Sequence, residues 1–269
     1  MGQSLDEYYD NLDRVFSEAA SIYDEKIQSN FINAGIREKE VESVVLRYKN
    51  GWEVLEIGCG TGEEARKVME STGCNLTCVD VSKGMIDFAS SKMKQLGLED
   101  RFRGIRMPAS SIGSISGTFQ IIYSFNGALN NEPQLLTFFN SLKDVTVIGG
   151  FFIVSVRNRF SLGEILVDLA RFKFGNLFKR FSGEMIVEVV GKGIKSHYFY
   201  DSEFMKLVPP CFKLKQMRGL GIFVIPSYYE RINSESARSF LKRLETAFTD
   251  LPLFKHLGDE TLFVFQKVQ

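Results

Sequence analysis

The chain has 269 residues, of which 44% are hydrophobic and 25% charged, a balance that supports one large domain or one domain with an insert and an ample core. Thirty-three basic residues cancel thirty-three acidic ones, which argues against the basic footprint of a dedicated nucleic-acid binder. No run of about 18 apolar residues spans a membrane, and the polar, acidic start MGQSLDEYYDNLD is unlike a secretory signal, so the expected address is cytoplasmic.

In chain order, Leu5, Tyr8, Tyr9, Leu12, Val15 and Phe16 recur at helical spacing, and a second helix is expected from about Ser29 to Lys49, stopped by Asn50-Gly51. From there strands and helices alternate. Expected strands are Glu53–Ile57, Leu76–Val79, Phe102–Arg106, Phe119–Tyr123 and, after Gly149-Gly150, Phe151–Val156. Expected helices are Glu63–Ser71, Ser82–Leu96 and Gln134–Leu142. This alternation implies right-handed crossovers and a parallel sheet covered on both faces. Beyond Arg157 it breaks: a helix is expected over Ser161–Phe181 and two short strands around Gly191-Lys192-Gly193. Asp201 and Ser234 are read as helix caps, and strands at Phe212–Met217 and Thr261–Val268 close the chain. Sixteen of the 24 phenylalanines lie after residue 150, which points to an aromatic-rich insertion before the last strands. The expected organisation is a single unit over 1–269. It comprises a helical cap at 1–50, a core at 51–157, an inserted lid at 158–200 and completion of the sheet at 201–269.

Cys59, Cys74, Cys78 and Cys211 form no C-x-x-C pair, and His197 and His256 are the two histidines, so no metal site is expected. The most informative segment is Glu56-Ile57-Gly58-Cys59-Gly60-Thr61-Gly62. A glycine turn between strand and helix lets backbone approach a ligand, and the helix start offers unpaired N–H groups. Eighteen residues past Gly62, Asp80 ends the next strand, where a carboxylate can accept hydrogen bonds from both ribose hydroxyls of an adenosine. The G-x-G-x-G spacing differs from the G-x-G-x-x-G of dinucleotide binders, and the acid Glu56 entering the loop would repel a pyrophosphate but favour an ammonium group.

With Val79-Asp80-Val81-Ser82, this segment resembles motif I and its sequel in the class I S-adenosylmethionine-dependent methyltransferases. The resemblance covers about Val54–Val156. It implies a Rossmann-like, doubly wound, mostly parallel seven-stranded α/β sheet with an antiparallel last strand, N-terminal helices and an inserted lid. S-adenosyl-L-methionine is the implied cofactor and S-adenosyl-L-homocysteine the product. Carried over, Glu56 and the backbone of Gly58, Cys59 and Gly60 would hold the methionine end, Asp80 the ribose, and Val81 the adenine face. Pro108-Ala109 replaces a common Asp-Ala pair, leaving the Ala109 N–H for the ring, and Gln120 replaces a frequent Asp. Asn126, in Ser124-Phe125-Asn126-Gly127-Ala128, lies in the loop that usually lines the methionine moiety or serves as a turn residue.

Methyl transfer from a sulfonium needs a base only if the acceptor holds its proton, so catalytic residues are hard to read from sequence. His197 is the candidate base by its ordinary pKa. Tyr23, with Tyr8 and Tyr9, belongs to helices that fold over the cofactor in similar proteins; Tyr228 and Tyr229 are candidates for a substrate wall. The expected acceptor is a small, partly apolar molecule. Two rival functions stay open: a non-catalytic adenosyl-ligand binder on the same fold, and a nicotinamide-dependent oxidoreductase. Between Arg157 and Phe181 bases alternate with phenylalanines. The simpler expectation is a lid that packs those rings on the sheet; peripheral membrane contact through 158–181, or an amphiphilic substrate, is the other. The oligomeric state is left open.

Overall fold

The computed structural model describes residues 4–28, 31–176, 178–223, 234–249 and 251–269. Two helices lead, α1 (Leu5–Gln28) and α2 (Phe31–Val45). The core then runs β1 (Glu53–Ile57), α3 (Glu63–Thr72), β2 (Asn75–Asp80), α4 (Lys83–Gln95), β3 (Phe102–Arg106), β4 (Phe119–Ser124), α5 (Leu135–Val145) and β5 (Thr146–Arg157). The remainder comprises α6 (Leu162–Ala170), β6 (Glu184–Val189), β7 (Lys192–His197), α7 (Asp201–Leu207), β8 (Phe212–Leu220), α8 (Glu235–Phe248) and β9 (Glu260–Lys267). Seven strands form one sheet in the order β3-β2-β1-β4-β5-β9-β8, and β6 pairs with β7 in a separate hairpin. Neighbours from β3 to β5 are parallel, while β9 runs antiparallel between β5 and β8. The parallel core is what the alternating pattern implies, and the whole is the Rossmann-like arrangement implied by the resemblance.

Because both faces of the sheet are covered, its central strands are apolar on both sides. On one face Val54, Leu76, Ile121, Tyr123 and Ile153 pack with Val44, Val68 and Met69. On the other, Leu55, Ile57, Ile122 and Phe152 meet Phe138, Phe139 and Phe204. The late phenylalanines of the sheet belong to this second layer: Phe152 stacks on Phe265 with ring centroids 6.1 Å apart, and Phe204 on Phe263 at 5.4 Å.

Several local expectations need correction. Gly149-Gly150 lies inside β5 rather than before it. Thr146 already pairs with Phe119, and the register jumps to Phe151 opposite Ile121, a bulge in which Gly149 takes φ 83°. The helix expected over 161–181 ends at Ala170. Ser161 caps it, its hydroxyl accepting the Glu164 N–H, but Phe172 then turns left-handed (φ 56°). Single 3-10 turns follow at Phe174–Asn176 and Lys179–Ser182, because Gly175 and Asn176 interrupt the helical run. Nor do its rings all pack on the sheet: Phe172, Phe174 and Phe178 are exposed. The hairpin turn falls at Val190-Gly191 (φ 46° and 76°), with Lys192 and Gly193 already in β7. Asp201 opens α7 as its first residue, after Tyr200 at the cap. Ser234 does cap α8, accepting the Ala237 N–H at 3.3 Å.

Candidate functional site

The C-terminal ends of β1, β2 and β4 face a cleft of about 870 Å³, including its open mouth, and α1 roofs it. Its floor is the loop after β1. Gly58, Gly60 and Gly62 all take positive φ (71°, 51° and 74°), a region closed to most side chains. At Gly58 the constraint is doubled: an added Cβ would lie 2.4 Å from the Ala128 Cβ. The glycines are therefore required by the path of the loop and by its close approach to the segment after β4.

Asp80, at the end of β2, lines the same cleft. Its Oδ2 accepts the Gly60 N–H and its Oδ1 the Ser82 N–H, each at 2.9 Å. These bonds lock the loop to the carboxylate, and each oxygen keeps a lone pair for a ligand. Burial pushes the Asp80 carboxyl up to about 6, and the two N–H donors limit that rise.

Gly58, Cys59, Gly60, Val81, Ala109, Asn126 and Tyr23 also line the cleft, so the structure gathers most of the expected residues. Asn126 occupies the left-handed region (φ 55°) that asparagine tolerates, and its N–H donates to Glu40 Oε1 at 3.2 Å. Burial raises the Tyr23 hydroxyl above its ordinary pKa, so it is a neutral donor at physiological pH. Two expected residues are elsewhere. Glu56 points beneath the loop into the core, accepting from Cys78 Sγ at 3.4 Å, and burial beside Glu64 drives its pKa well up. Glu56 thus does not line the cleft. His197 lies on β7, outside the cleft lining, with Nδ1 3.4 Å from Glu184 Oε1; partial burial lowers its pKa. His256 pairs with Asp201 at 2.6 Å. Tyr228 and Tyr229 lie outside the described residues.

Sequence reasoning missed an ion pair on the cleft wall. Arg37 of α2 and Glu64 of α3 both line the cleft, are buried, and meet at 2.5 Å. It also missed how α1 is tied down. Tyr9 donates to Glu132 Oε1 at 2.5 Å, and Tyr8 reaches the carbonyls of Asn131 and Lys195, each at 2.9 Å. Ser17 accepts the Gly84 N–H at 2.9 Å, where a Cβ on Gly84 would come within 2.7 Å of the Ser17 Cβ. Gly84 thus lets α1 close on α4. Gln120 has a structural role: its Oε1 accepts the Glu53 N–H at 2.8 Å and secures the start of β1.

The observed residues fit a cationic nucleoside ligand. The left-handed glycine loop leaves backbone open to a ligand, and with Glu64 paired to Arg37 the acids Asp80 and Glu132 leave the cleft wall negative, which favours a sulfonium and disfavours a pyrophosphate. Among the described residues no cluster of His, Cys, Asp and Glu could hold a metal ion.

The fold is of the Rossmann-like class. Residues 54–150 match a family model described as a methyltransferase domain. Over that segment, about a third of its length, the chain is similar to S-adenosylmethionine-dependent methyltransferases. It is 24% identical over 104 residues to a sterol 24-C-methyltransferase of Gibberella zeae, a match spanning 39% of this chain and 27% of that protein. It is 28% identical over 204 residues to an uncharacterized protein of Methanocaldococcus jannaschii, covering 73% of this chain and 70% of that one. A solved S-adenosylmethionine-dependent methyltransferase from Mesorhizobium loti shares the fold with a TM-score of 0.60 at 15% identity, covering 87% and 99% of the two chains.

Proposed function

We propose that this protein transfers a methyl group from S-adenosylmethionine to a small, partly apolar acceptor, releasing S-adenosylhomocysteine. The observation that carries this reading is the meeting of the Gly58–Gly62 loop and the Asp80 carboxylate in one roofed cleft. When bound, the cofactor supplies an electrophilic methyl group on a sulfonium. Asp80 would accept the ribose hydroxyls, as its spare lone pairs allow. The backbone of Gly58, Cys59 and Gly60 with the Arg37–Glu64 pair would hold the methionine end, and Asn126 would close that side. Val81, Ala109 and Leu129 would bracket the adenine.

Leu12 and Phe16 of the roof and Met85 and Met107 of the wall make the rest of the cleft apolar. They would exclude water and seat an acceptor with hydrocarbon surface. The similarity to a sterol methyltransferase supports the same acceptor class. Tyr23, with its raised pKa, would orient an acceptor heteroatom by donating to it rather than by removing its proton. The segments 1–50, 51–157, 158–200 and 201–269 act as one unit in this reading, as cap, core, insert and completion of the sheet.

The test is release of S-adenosylhomocysteine from labelled cofactor across a panel of apolar hydroxy, amino and unsaturated acceptors. Turnover confined to apolar members is expected. Cofactor binding without turnover on any of them would favour a non-catalytic binder, and binding of NAD in its place an oxidoreductase.

A further inference from the structure

The aromatic turn after α6 plays no part in the cleft. From 169 to 183 the sequence carries Arg171, Lys173, Lys179 and Arg180 and not one acid. Phenylalanines of the sheet layer are buried, yet Phe172 is 81% exposed, Phe174 57% and Phe178 71%, and Leu166 and Leu169 of α6 add to the exposed apolar surface. These rings are grouped, not scattered. Phe172 and Phe174 meet edge to face at 6.3 Å, and Phe178 packs on Phe181 at 5.7 Å.

The turn is held from beneath. Arg180 points inward, pairing with Asp259 at 2.7 Å and with Glu164, donating to the Asn158 carbonyl at 3.2 Å and lying over the Tyr198 ring. With Arg180 so engaged, the rings flanking it are held outward. Phe172 adopts φ 56°, a conformation that costs a side chain with a bulky ring. Arg171, Lys173 and Lys179 are exposed around the rings.

We propose that the turn bearing Phe172, Phe174 and Phe178 docks this protein onto an anionic lipid bilayer, the rings entering among the headgroups and Lys173 and Lys179 meeting lipid phosphates. A projecting turn with exposed rings, exposed cations and no acid from 169 to 183, Asp168 before it being buried, complements a fluid, negatively charged surface, where aromatic rings favour the depth of the headgroups. Among the described residues no helix is long and apolar enough to cross a membrane, so the contact would be peripheral. The proposal stands apart from the methyl-transfer reading.

The test is co-sedimentation of the full chain with vesicles of phosphatidylcholine alone or in equal parts with phosphatidylglycerol. Three proteins are compared: wild type, Phe172→Ala/Phe178→Ala and Lys173→Gln/Lys179→Gln. Wild type should bind the anionic vesicles and not the neutral ones. The phenylalanine variant should bind at least tenfold more weakly with an unchanged circular dichroism spectrum, since its lost rings lie outside the core. The lysine variant should lose about fivefold per cation at low salt, and that difference should vanish at high salt. Failure of wild type to bind, or equal binding by the phenylalanine variant, overturns the proposal. So does self-association of wild type that the phenylalanine variant abolishes without any vesicle binding, which would assign the patch to contact between copies. No step uses the cofactor, so a failed cofactor titration leaves this result readable.

Discussion

Asp80→Asn separates what the cleft holds from what holds the cleft. In the fold the Asp80 carboxyl is pushed up to about 6 by burial, against an ordinary value of 3.8. Keeping it ionised at neutral pH therefore costs on the order of 3 kcal/mol, a cost the amide does not carry. Against this gain, asparagine has a single acceptor oxygen for two donors, the Gly60 and Ser82 N–H groups, each now at 2.9 Å from a carboxylate oxygen. One N–H would face an NH2 group, a penalty of about 1–3 kcal/mol. The two effects nearly cancel, so unfolding free energy should change by less than about 2 kcal/mol. Binding has no such compensation. Two ribose hydroxyls lose a charged acceptor, about 2–4 kcal/mol together, which weakens affinity roughly 30- to 1,000-fold. Calorimetric titration with S-adenosylhomocysteine, paired with denaturant melts, measures both quantities. The wild-type affinity should also weaken as pH falls through about 6, where Asp80 takes up a proton, and the variant should lack that inflection. A folded variant whose dissociation constant stays within threefold of wild type would refute the assignment of the carboxylate to the ribose.

Gly58→Ala forces a Cβ to 2.4 Å from that of Ala128 at φ 71°, and should cost about 2–5 kcal/mol of stability and abolish cofactor binding; a normal melt would show that the loop is not closed there. Tyr9→Phe removes the bond from α1 to Glu132, partly exposed to solvent, and should cost roughly 1 kcal/mol while speeding proteolytic cleavage within α1. Equal cleavage rates would mean that the roof is fastened elsewhere. Glu40 is fully buried, accepts from Ser155 and the Asn126 N–H, and is pushed up to about 8 by burial and by neighbouring Glu260. Its folded pKa exceeds the unfolded value of 4.5, so the folded state binds the extra proton and stability falls as pH rises through that window. Glu40→Gln should flatten the decline in melting temperature between about pH 5 and pH 8; an unchanged slope would place the proton elsewhere.

The sheet was legible because its strands carry short apolar runs bounded by turn signals, and β1 and β3 fall at the expected residues. The loop was legible because three glycines in five residues have few other uses between a strand and a helix. Asp80 followed from its place at the end of β2. Motif position does not say which way the Glu56 side chain points: in β1 it alternates with Leu55 and Ile57, which pack on the opposite face, and it lies beneath the loop. The Arg37–Glu64 pair and the Tyr9–Glu132 bond join residues 27 and 123 positions apart, and neither carries a local signal. The apolar spacing of 161–181 is compatible with one helix, but Gly175 and Asn176 and the inward pull of Arg180 favour two short turns. Gln120 gained a meaning once its reach to the Glu53 N–H was visible.

The most direct measurement is equilibrium binding of S-adenosylmethionine, S-adenosylhomocysteine and NAD to the purified full chain. Saturable one-to-one binding of both adenosyl compounds, without uptake of NAD, is the expected result. Rejection of both adenosyl ligands by folded protein, or a preference for the dinucleotide, would contradict the assignment of the loop and Asp80 to a nucleoside sulfonium.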